Sequence, residues 1–331
     1  MINQILSFGE ILIRQQPTGA HFFAAESNTV KLYPGGSEAN VAVSLALMGE
    51  SVSYVSAFPE NALSTEILSV LRQHKVNADK VIFAGDRLGQ YILLGANGLT
   101  KGDVIYDRKY SSFSELKKDD FSIDKLLSNV TWLHWSALTP ALNENMATLL
   151  EEILLAAQQK GVTISVDLNY RSKLWQYGKE PIAIMPRLVA YCDVIMGNIW
   201  AAEKMLGTTV DNLLDRQTTK ETYIEAAGQS AKEVFTKYPR CKHLAYTFRF
   251  MDNAQHNLFY GTYHSPSIDT HSETFETQEV IDRIGSGDAF MAGFIHALVQ
   301  KMNPQQIIDT ATNAGFAKLF VEGDFGNGKI S

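Results

Sequence analysis

Cysteines and long apolar runs are both scarce in this sequence. Only two cysteines occur among 331 residues, Cys192 and Cys241, and they have no CxxC spacing, which argues against a disulfide framework and a cysteine-bound zinc site. No window approaches the roughly 20 apolar residues needed to cross a bilayer, and the N-terminus lacks the basic and apolar regions of a secretory signal. We therefore expect a soluble, cytoplasmic protein with no membrane partner and with both cysteines in its core.

An excess of positive charge and the common nucleotide-binding motifs are also missing. The 29 lysines and arginines are outnumbered by 36 acidic residues, and the net charge of −7 argues against nucleic acid as the main partner while allowing a local basic pocket. No GxGxxG follows the first predicted strand. Residues 323–330 imitate a P-loop, but Ile330 stands where Ser or Thr is required. The sequence therefore supports neither a classical dinucleotide-binding domain nor a P-loop enzyme.

Strand-like and helix-like segments alternate along most of the chain. The main predicted strands are Ile2–Phe8, Val52–Ala57, Thr131–Trp135 and Val162–Asp167, and the main predicted helices are Glu38–Met48, Asn143–Gln159, Ile199–Leu206 and Lys220–Lys237. This alternation predicts a single α/β domain over residues 1–331, with a mainly parallel central sheet covered by helices on both faces.

Two stretches, residues 11–33 and 89–110, break the alternation because their strand-like runs follow one another without a helix. The second stretch predicts a hairpin around Asn97-Gly98. We expect the two stretches to form a small antiparallel β sheet that projects from the main domain and acts as a lid.

A glycine-rich turn late in the chain carries the strongest chemical signal. Gly285-Ser286-Gly287-Asp288 lies between a predicted strand over Thr277–Ile281 and an apolar helix. Glycines at such a turn expose backbone N–H groups, and the helix N-terminus adds partial positive charge, so an anion could bind beside Asp288. An anion site next to a carboxylate suits phosphoryl transfer to a hydroxyl. A simple glycine turn with a capping aspartate explains these four residues equally well.

A second glycine-rich segment, Gly35-Gly36-Ser37-Glu38-Ala39-Asn40, also leads into a predicted helix. Its backbone and Asn40 could hydrogen-bond a polyol. By itself, however, the segment is better explained as a helix start with Ser37 as the N-cap.

Polar residues at two other places could contact a ligand. Residues 167–171 follow a buried strand, at the edge where open parallel sheets bind ligands, although a solvated loop explains them nearly as well. On the lid, Tyr106 and Arg108 share one face. Arg108 and Arg171 could together clamp a carboxylate, whereas each arginine singly is more often a surface charge.

Taken together, Gly35-Gly36-x-x-x-Asn40 and Asp282-x-x-Gly285-x-Gly287-Asp288 resemble the two signatures of ribokinase-like (PfkB-type) carbohydrate kinases. The likeness covers nearly the whole chain, including the order of strands, helices and lid. It implies a ribokinase-like three-layer α/β/α sandwich that uses ATP and Mg²⁺. It also implies that Asp288 is the general base, beside an anion hole formed by the backbone of Gly285, Ser286 and Gly287.

Within that family, residues 9–14, 89–91, 106–108 and 167–175 resemble segments of 2-keto-3-deoxygluconate kinases. This resemblance implies that the substrate is held by Gly35, Gly36, Asn40, Tyr91, Tyr106, Arg108 and Arg171. It implies a nucleotide side formed by Asn198, Thr247, Arg249, Asp282 and Asn313. The metal ligands stay unassigned, because Ala201 stands where the family's Asn-x-x-Glu segment has glutamate.

The leading hypothesis is ATP-dependent phosphorylation of the terminal hydroxyl of 2-dehydro-3-deoxy-D-gluconate under a closing lid. One alternative is the same chemistry on the galactonate epimer or on a neutral sugar such as fructose or ribose. Another is a non-catalytic sensor of sugar acid or nucleotide that keeps the kinase fold. The exposed edges of the lid sheet predict a homo-oligomer formed through the lid.

Overall fold

The computed structural model describes residues 4–19, 22–23, 29–94 and 103–330. The strands are β1 (Gln4–Phe8), β2 (Leu12–Pro17), β3 (Val30–Gly35), β4 (Ser51–Val55), β5 (Ala57–Phe58), β6 (Ile82–Phe83), β7 (Gly89–Leu94), β8 (Asp103–Asp107), β9 (Trp132–Ser136), β10 (Thr163–Asp167), β11 (Val194–Gly197), β12 (His243–Phe250), β13 (Asn257–His264), β14 (Asp269–His271) and β15 (Phe275–Thr277). The helices are α1 (Ser37–Leu47), α2 (Ala62–Gln73), α3 (Ile123–Leu126), α4 (Glu144–Gln159), α5 (Pro181–Val189), α6 (Ile199–Leu206), α7 (Lys220–Lys237), α8 (Ser286–Val299) and α9 (Pro304–Ala317).

The central sheet has the strand order β14-β13-β12-β11-β10-β9-β1-β4, and β15 also pairs with β13. All pairs from β4 to β12 are parallel, whereas β13 joins β12 antiparallel. The prediction of a mainly parallel central sheet is confirmed. Because the carboxyl ends of parallel strands meet at one edge, the residues that follow β10 and β11 lie side by side there.

Helices cover both faces of this sheet, and each face has its own apolar core. Ile5 of β1 packs into the core that includes α1, α2, α8 and α9, whereas its neighbour Leu6 packs into the core that includes α4 to α7. Successive strand residues point to opposite faces, so one strand serves both cores. The arrangement is the predicted three-layer α/β/α sandwich. Cys192 and Cys241 are buried, unpaired members of one core.

A second, four-stranded sheet has the order β3-β2-β7-β8; it contains the segments predicted to act as a lid, and we call it the lid. The outer pairs are antiparallel, but the middle pair β2–β7 is parallel, so the predicted antiparallel lid is mixed at its centre. The predicted turn at Asn97-Gly98 lies outside the described residues. Leu12, Tyr91 and Leu93 form a small apolar cluster on the lid, which gives the lid sheet one buried face.

Capping residues set several helix boundaries. The Asn143 side chain accepts a hydrogen bond from the Met146 N–H and starts α4, as polar N-caps do. Helix α6 ends at Gly207, whose φ of 67° suits a glycine C-cap. The bounds of α6 and α7 agree with those predicted from the sequence. Within the described residues, no helix has both the length and the apolar character required to span a membrane.

Two local predictions next to the glycine turns were wrong. The strand expected over Thr277–Ile281 ends at Thr277, because the N–H groups of Ile281 and Asp282 donate to the Leu319 carbonyl outside the sheet. Ser37 is the first residue of α1 and does not cap it; the N-cap is Gly36, which has no side chain to accept a bond. The Ser37 hydroxyl is instead directed toward the site described below.

Candidate active site

A cavity of about 450 Å³ lies beneath the lid, at the carboxyl ends of β10 and β11. Its walls combine the lid, both glycine turns and the start of α8. The predicted site residues that line it are Gly36, Asn40, Tyr91, Tyr106, Arg108, Arg171, Asn198, Thr247, Arg249, Gly285, Ser286, Gly287 and Asp288. Segments far apart in sequence are thus brought together at one place.

Asp288 is held by two neutral donors at the base of this cavity. The Ser37 hydroxyl donates to Oδ1 and the Asn40 amide donates to Oδ2, each at 2.7 Å. Burial raises the pKa of Asp288, while these two hydrogen bonds act in the opposite direction. The arrangement fixes the carboxylate in one orientation and leaves it basic enough to accept a proton.

The turn before α8 requires glycine at one position and leaves space at another. Gly285 has φ of 82°, and a Cβ atom there would lie 2.1 Å from the Asp324 carbonyl oxygen. A Cβ on Gly287, in contrast, would meet no atom within 4 Å. The N-terminus of a 14-residue helix therefore faces open space beside Asp288, which suits an anion.

The Gly35-Gly36 turn is equally restricted by its neighbours. A Cβ on Gly35 would lie 2.2 Å from Asp324 Oδ2, and one on Gly36 would lie 2.2 Å from the Glu10 carbonyl oxygen. Gly36 also has φ of 132°, a backbone conformation that residues other than glycine avoid. This close packing places the first turn of α1, and with it Ser37 and Asn40, against Asp288.

The lid side of the cavity is built from tyrosines and one arginine. Tyr91 donates a 2.7 Å hydrogen bond to Asp324 Oδ2, and its ring centre lies 6.3 Å from that of Tyr106. Arg108 donates through Nε to Glu10 Oε2 at 2.5 Å. The buried Arg108 Nη1 has no hydrogen-bond partner among the described residues, which leaves one donor for a ligand.

The opposite part of the lining comes from the sheet and helix α6. Asn198 uses its side chain to cap α6 through the Ala201 N–H, at 2.8 Å. Thr247 donates to the Gly197 carbonyl at 3.3 Å, and Arg249 Nη1 donates to Ser286 Oγ at 3.0 Å. Arg249 thus connects β12 to the first residue of α8.

Comparison with known proteins identifies the family of this chain. A family model described as pfkB family carbohydrate kinase matches residues 3–239 and 261–324. The chain belongs to the pfkB family. It is therefore a carbohydrate kinase.

Individual relatives of this kinase cover most of its length. The crystal structure of 2-dehydro-3-deoxygluconokinase from Thermotoga maritima has 32% sequence identity and a TM-score of 0.88, covering 98% of this chain and 95% of that one. A 2-dehydro-3-deoxygalactonokinase from Haloferax volcanii is 27% identical over 325 residues, which are 98% of this chain and 93% of that protein. A 2-dehydro-3-deoxygluconokinase from Bacillus subtilis is 25% identical over 292 residues, covering 87% and 81% of the two chains.

Three predicted site residues of the kinase are not on the cavity wall. Gly35 lies behind Gly36, against Asp324. Both carboxylate oxygens of Asp282 are bonded to Arg14, and they also accept from the Ile284 and Gly323 N–H groups. Because each oxygen of Asp282 already accepts two hydrogen bonds from the protein, the structure favours a structural role for this residue. Asn313 lies on α9 and donates to the Ile330 carbonyl at 3.3 Å; its contact with adenine stays a prediction.

Several residues near the site had no individual role in the sequence prediction. Asn169, with φ of 23°, donates to Ser37 Oγ at 3.0 Å and thereby extends the bonds that hold Asp288. Burial, and next the charge of Asp288, raise the pKa of Asp167 to about 7. Burial likewise raises the pKa of Glu38 to about 7, although Ser136 donates to it. The polar segment at the end of β10 drew attention to Asp167 and Asn169. No feature of the sequence distinguished Glu38 from an exposed residue on a helix.

The sequence assigns no metal ligands, and the described part of the chain offers no set of them either. Across residues 4–19, 22–23, 29–94 and 103–330, no group of three or more His, Cys, Asp and Glu side chains could hold a metal ion. Ala201 is buried beneath the Asn198 cap and has no ligating atom. These residues do not fit a metal held by protein carboxylates.

Proposed function

We propose that this carbohydrate kinase transfers the terminal phosphoryl group of ATP to the terminal hydroxyl of 2-dehydro-3-deoxy-D-gluconate. The sugar oxygen forms a bond to the γ-phosphorus while the bond from that phosphorus to the β,γ-bridging oxygen breaks, so that ADP leaves. The hydroxyl proton passes to Asp288. The observation that carries the proposal is the buried Asp288 carboxylate, held by Ser37 and Asn40 beside the open N-terminus of α8.

Each part of this site has a distinct task in the proposed reaction. The α8 N-terminus would stabilise charge on the transferring phosphoryl group. Asp288 would accept the proton of the sugar hydroxyl late in a loose transition state, so the position of the carboxylate matters more than a high pKa. The lid would exclude water, which otherwise competes as phosphoryl acceptor. Mg²⁺, which neutralises phosphate charge, would be bound by the ATP phosphates and water, because the described residues offer no carboxylate cage.

The choice of a sugar acid rests on the arginines of the cavity. Arg108 has an unpaired buried Nη1, and Arg171 lines the same cavity. A charge-assisted hydrogen bond contributes about 1.5–3 kcal/mol, enough to favour a carboxylate over a neutral sugar. The names of the Thermotoga and Bacillus relatives agree with the gluconate form.

The galactonate epimer is the second candidate, since the Haloferax relative carries that name. The two epimers differ in the orientation of one hydroxyl. A coupled ADP-release assay with both epimers, fructose and ribose separates these substrates. We expect the highest kcat/KM on the gluconate form, and preference for a neutral sugar would contradict the acid assignment.

Replacement of Asp288 by Asn tests the general base. We expect kcat to fall by about 10²–10⁴-fold, the usual contribution of a positioned base, with little change in sugar-acid affinity by calorimetry. An unchanged melting temperature would show that the variant is folded. Retention of more than about a hundredth of the wild-type rate would contradict this role.

A further inference from the structure

Three arginines, Arg171, Arg249 and Arg283, line the cavity near the start of α8; we call them the arginine cluster. Every hydrogen bond that they donate within the described residues ends on a neutral oxygen. Arg171 donates to the Tyr170 carbonyl at 2.9 Å, and Arg249 donates to the Ser286 hydroxyl at 3.0 Å. The cluster thus holds three positive charges near one another, and no carboxylate of the described residues is hydrogen-bonded to any of them.

Arg283 is the member of the cluster whose unpartnered donors are buried among the described residues. Its Nη2 donates to the His256 carbonyl at 2.7 Å and approaches the Asn253 carbonyl at 3.3 Å. Its Nε and Nη1 atoms are buried and have no hydrogen-bond partner in the described part of the chain. Buried donors without partners are rare in folded proteins, because each one forfeits its hydration.

The electrostatic state of Arg249 reflects the two positive charges beside it. Arg249 is exposed to the cavity, yet desolvation by the surrounding walls, followed by the charges of Arg171 and Arg283, lowers its pKa to about 10. The side chain is still protonated at neutral pH. Like charges held this close favour the arrival of an anion between them.

Arg249 is also the member that reaches the helix N-terminus. It is carried by β12 and bonds to Ser286, the first residue of α8, while the space over Gly287 is open. The lid residues assigned to the sugar, Tyr91 and Tyr106, come from β7 and β8. The position of Arg249 therefore favours a phosphate group over the sugar's carboxylate.

We propose that Arg249, together with Arg283, binds the terminal phosphates of the nucleotide and neutralises part of their charge, because the described residues offer no carboxylate group to hold a metal. Because Ala201 is buried and the described residues contain no metal-ligand group, the protein's own contribution to this charge neutralisation falls to its cations. Guanidinium groups suit it, because their planar donors match phosphate oxygens. This inference rests on the proposed use of ATP.

Nucleotide binding without sugar and without metal tests the proposal. Calorimetry in EDTA would compare wild type with Arg249→Ala for AMP-PNP, ADP and AMP. We expect AMP-PNP affinity to fall about tenfold or more, ADP affinity to fall less, and AMP affinity to stay unchanged, since lost charge-assisted bonds act only on the outer phosphates. Arg249→Lys should recover part of the loss. Arg216→Ala is the matched control, because Arg216 is exposed and paired with Asp252.

A second measurement addresses metal dependence. Adding Mg²⁺ should improve AMP-PNP binding by a larger factor in Arg249→Ala than in wild type, because the variant has lost a charge that the ion can replace. Equal factors in the two proteins would count against the proposal.

Three results would overturn the assignment. They are an equal loss for AMP and AMP-PNP, an unchanged AMP-PNP affinity, and a loss confined to sugar-acid binding, which would assign Arg249 to the carboxylate. Absence of nucleotide binding in wild type would overturn it together with the proposed function. Suppose that Arg249→Ala loses affinity for AMP-PNP only, while the wild-type protein phosphorylates no sugar acid. This result would refute the proposed substrate and leave the role of Arg249 standing.

Discussion

Arg14 and Arg249 show two different uses of arginine within one molecule. Arg14, on lid strand β2, is fully buried and contacts both Asp282 and Asp324. Arg249, on β12, is exposed to the cavity and bonds only to a hydroxyl within the described residues. An arginine that already has carboxylate partners holds parts of the protein together. An arginine without one is available to a ligand.

The contacts of Arg14 connect three distant parts of the chain. Its Nη2 lies 2.6 Å from Asp282 Oδ2, just before the α8 turn. Its Nε lies 3.0 Å from Asp324 Oδ1 as an ion pair without hydrogen-bond geometry. Burial by itself would lower the pKa of Arg14, but the charges of Asp324 and Asp282 raise it overall. The lid is thereby anchored to the turn that carries Asp288.

Arg108 stands between these two cases. Its Nε is paired with Glu10, as a structural arginine would be, while its buried Nη1 lacks a partner among the described residues. We expect a variant here to affect both stability and sugar-acid binding, so it separates the two uses poorly. Arg14 and Arg171 are better choices.

The largest effect is expected from Arg14→Met. Removing the guanidinium leaves Asp282 and Asp324 buried without their cation, which costs about 3–5 kcal/mol of unfolding free energy. Urea unfolding at pH 8 measures it. Arg216→Met is the matched control, because that exposed pair with Asp252 should contribute less than about 1 kcal/mol. Similar losses in the two variants would show that the buried Arg14 pairs hold the protein together no better than an exposed ion pair does.

A smaller effect, on binding and not on folding, is expected from Arg171→Ala. Loss of one charge-assisted bond of about 1.5–3 kcal/mol should raise KM for the sugar acid roughly 10- to 150-fold. KM for a neutral sugar such as fructose should change little, and urea unfolding should be close to that of wild type. Steady-state kinetics on both sugars provides the comparison, and equal changes in the two KM values would refute the carboxylate contact.

The smallest effect is expected from Asp167→Asn, on the acidic side of the cavity. Catalysis requires deprotonated Asp288, so kcat falls as pH decreases through the raised pKa of this group. Asp167 and Asp288 repel each other, and removing one charge makes the other easier to ionise. The acid limb of the kcat profile should therefore move to lower pH, by at most about one unit. An upward shift would contradict the coupling.

The same substitution should alter how stability depends on pH. The folded-state pKa of Asp167 is raised to about 7, above the unfolded value of about 3.9. The contribution of Asp167 to the free energy of unfolding is therefore fully favourable below pH 4 and is lost as pH rises through 7. Asp167→Asn should flatten the decline in unfolding free energy across this interval, which urea titrations at several pH values would detect.

Much of the fold could be predicted because its signals are local. The bounds of α6 and α7 follow from caps and periodicity, and β7 pairs with β8 as the alternating pattern indicated. The Gly285 turn was recognisable because glycine is required where φ is positive. The prediction for Ser37 was wrong because it, too, used a local signal: a serine at the start of a helix usually caps that helix. The actual hydrogen-bond partner of Ser37, Asp288, lies 251 residues away.

The remainder of the site depends on contacts that no local pattern contains. Asp324 belongs to a segment that imitates a P-loop, yet its carboxylate accepts from Tyr91, 233 residues earlier. Arg14 appeared only as part of a resemblance, and Asp282 was assigned to the nucleotide although Arg14 occupies both of its oxygens. Tertiary packing decides which arginine forms an ion pair with a carboxylate, so the sequence does not distinguish paired from unpaired arginines.

The separation between Arg14 and its partners also affects how the protein is made. The nearer partner, Asp282, is 268 residues further along the chain. At about 5–20 residues per second, a ribosome needs roughly 13–54 s to reach it after Arg14 has been added. During that interval the first lid strands carry a cation whose carboxylates have not been synthesised. The lid therefore cannot be anchored through Arg14 before Asp282 has been translated, and the catalytic centre cannot assemble before Asp288 has been added.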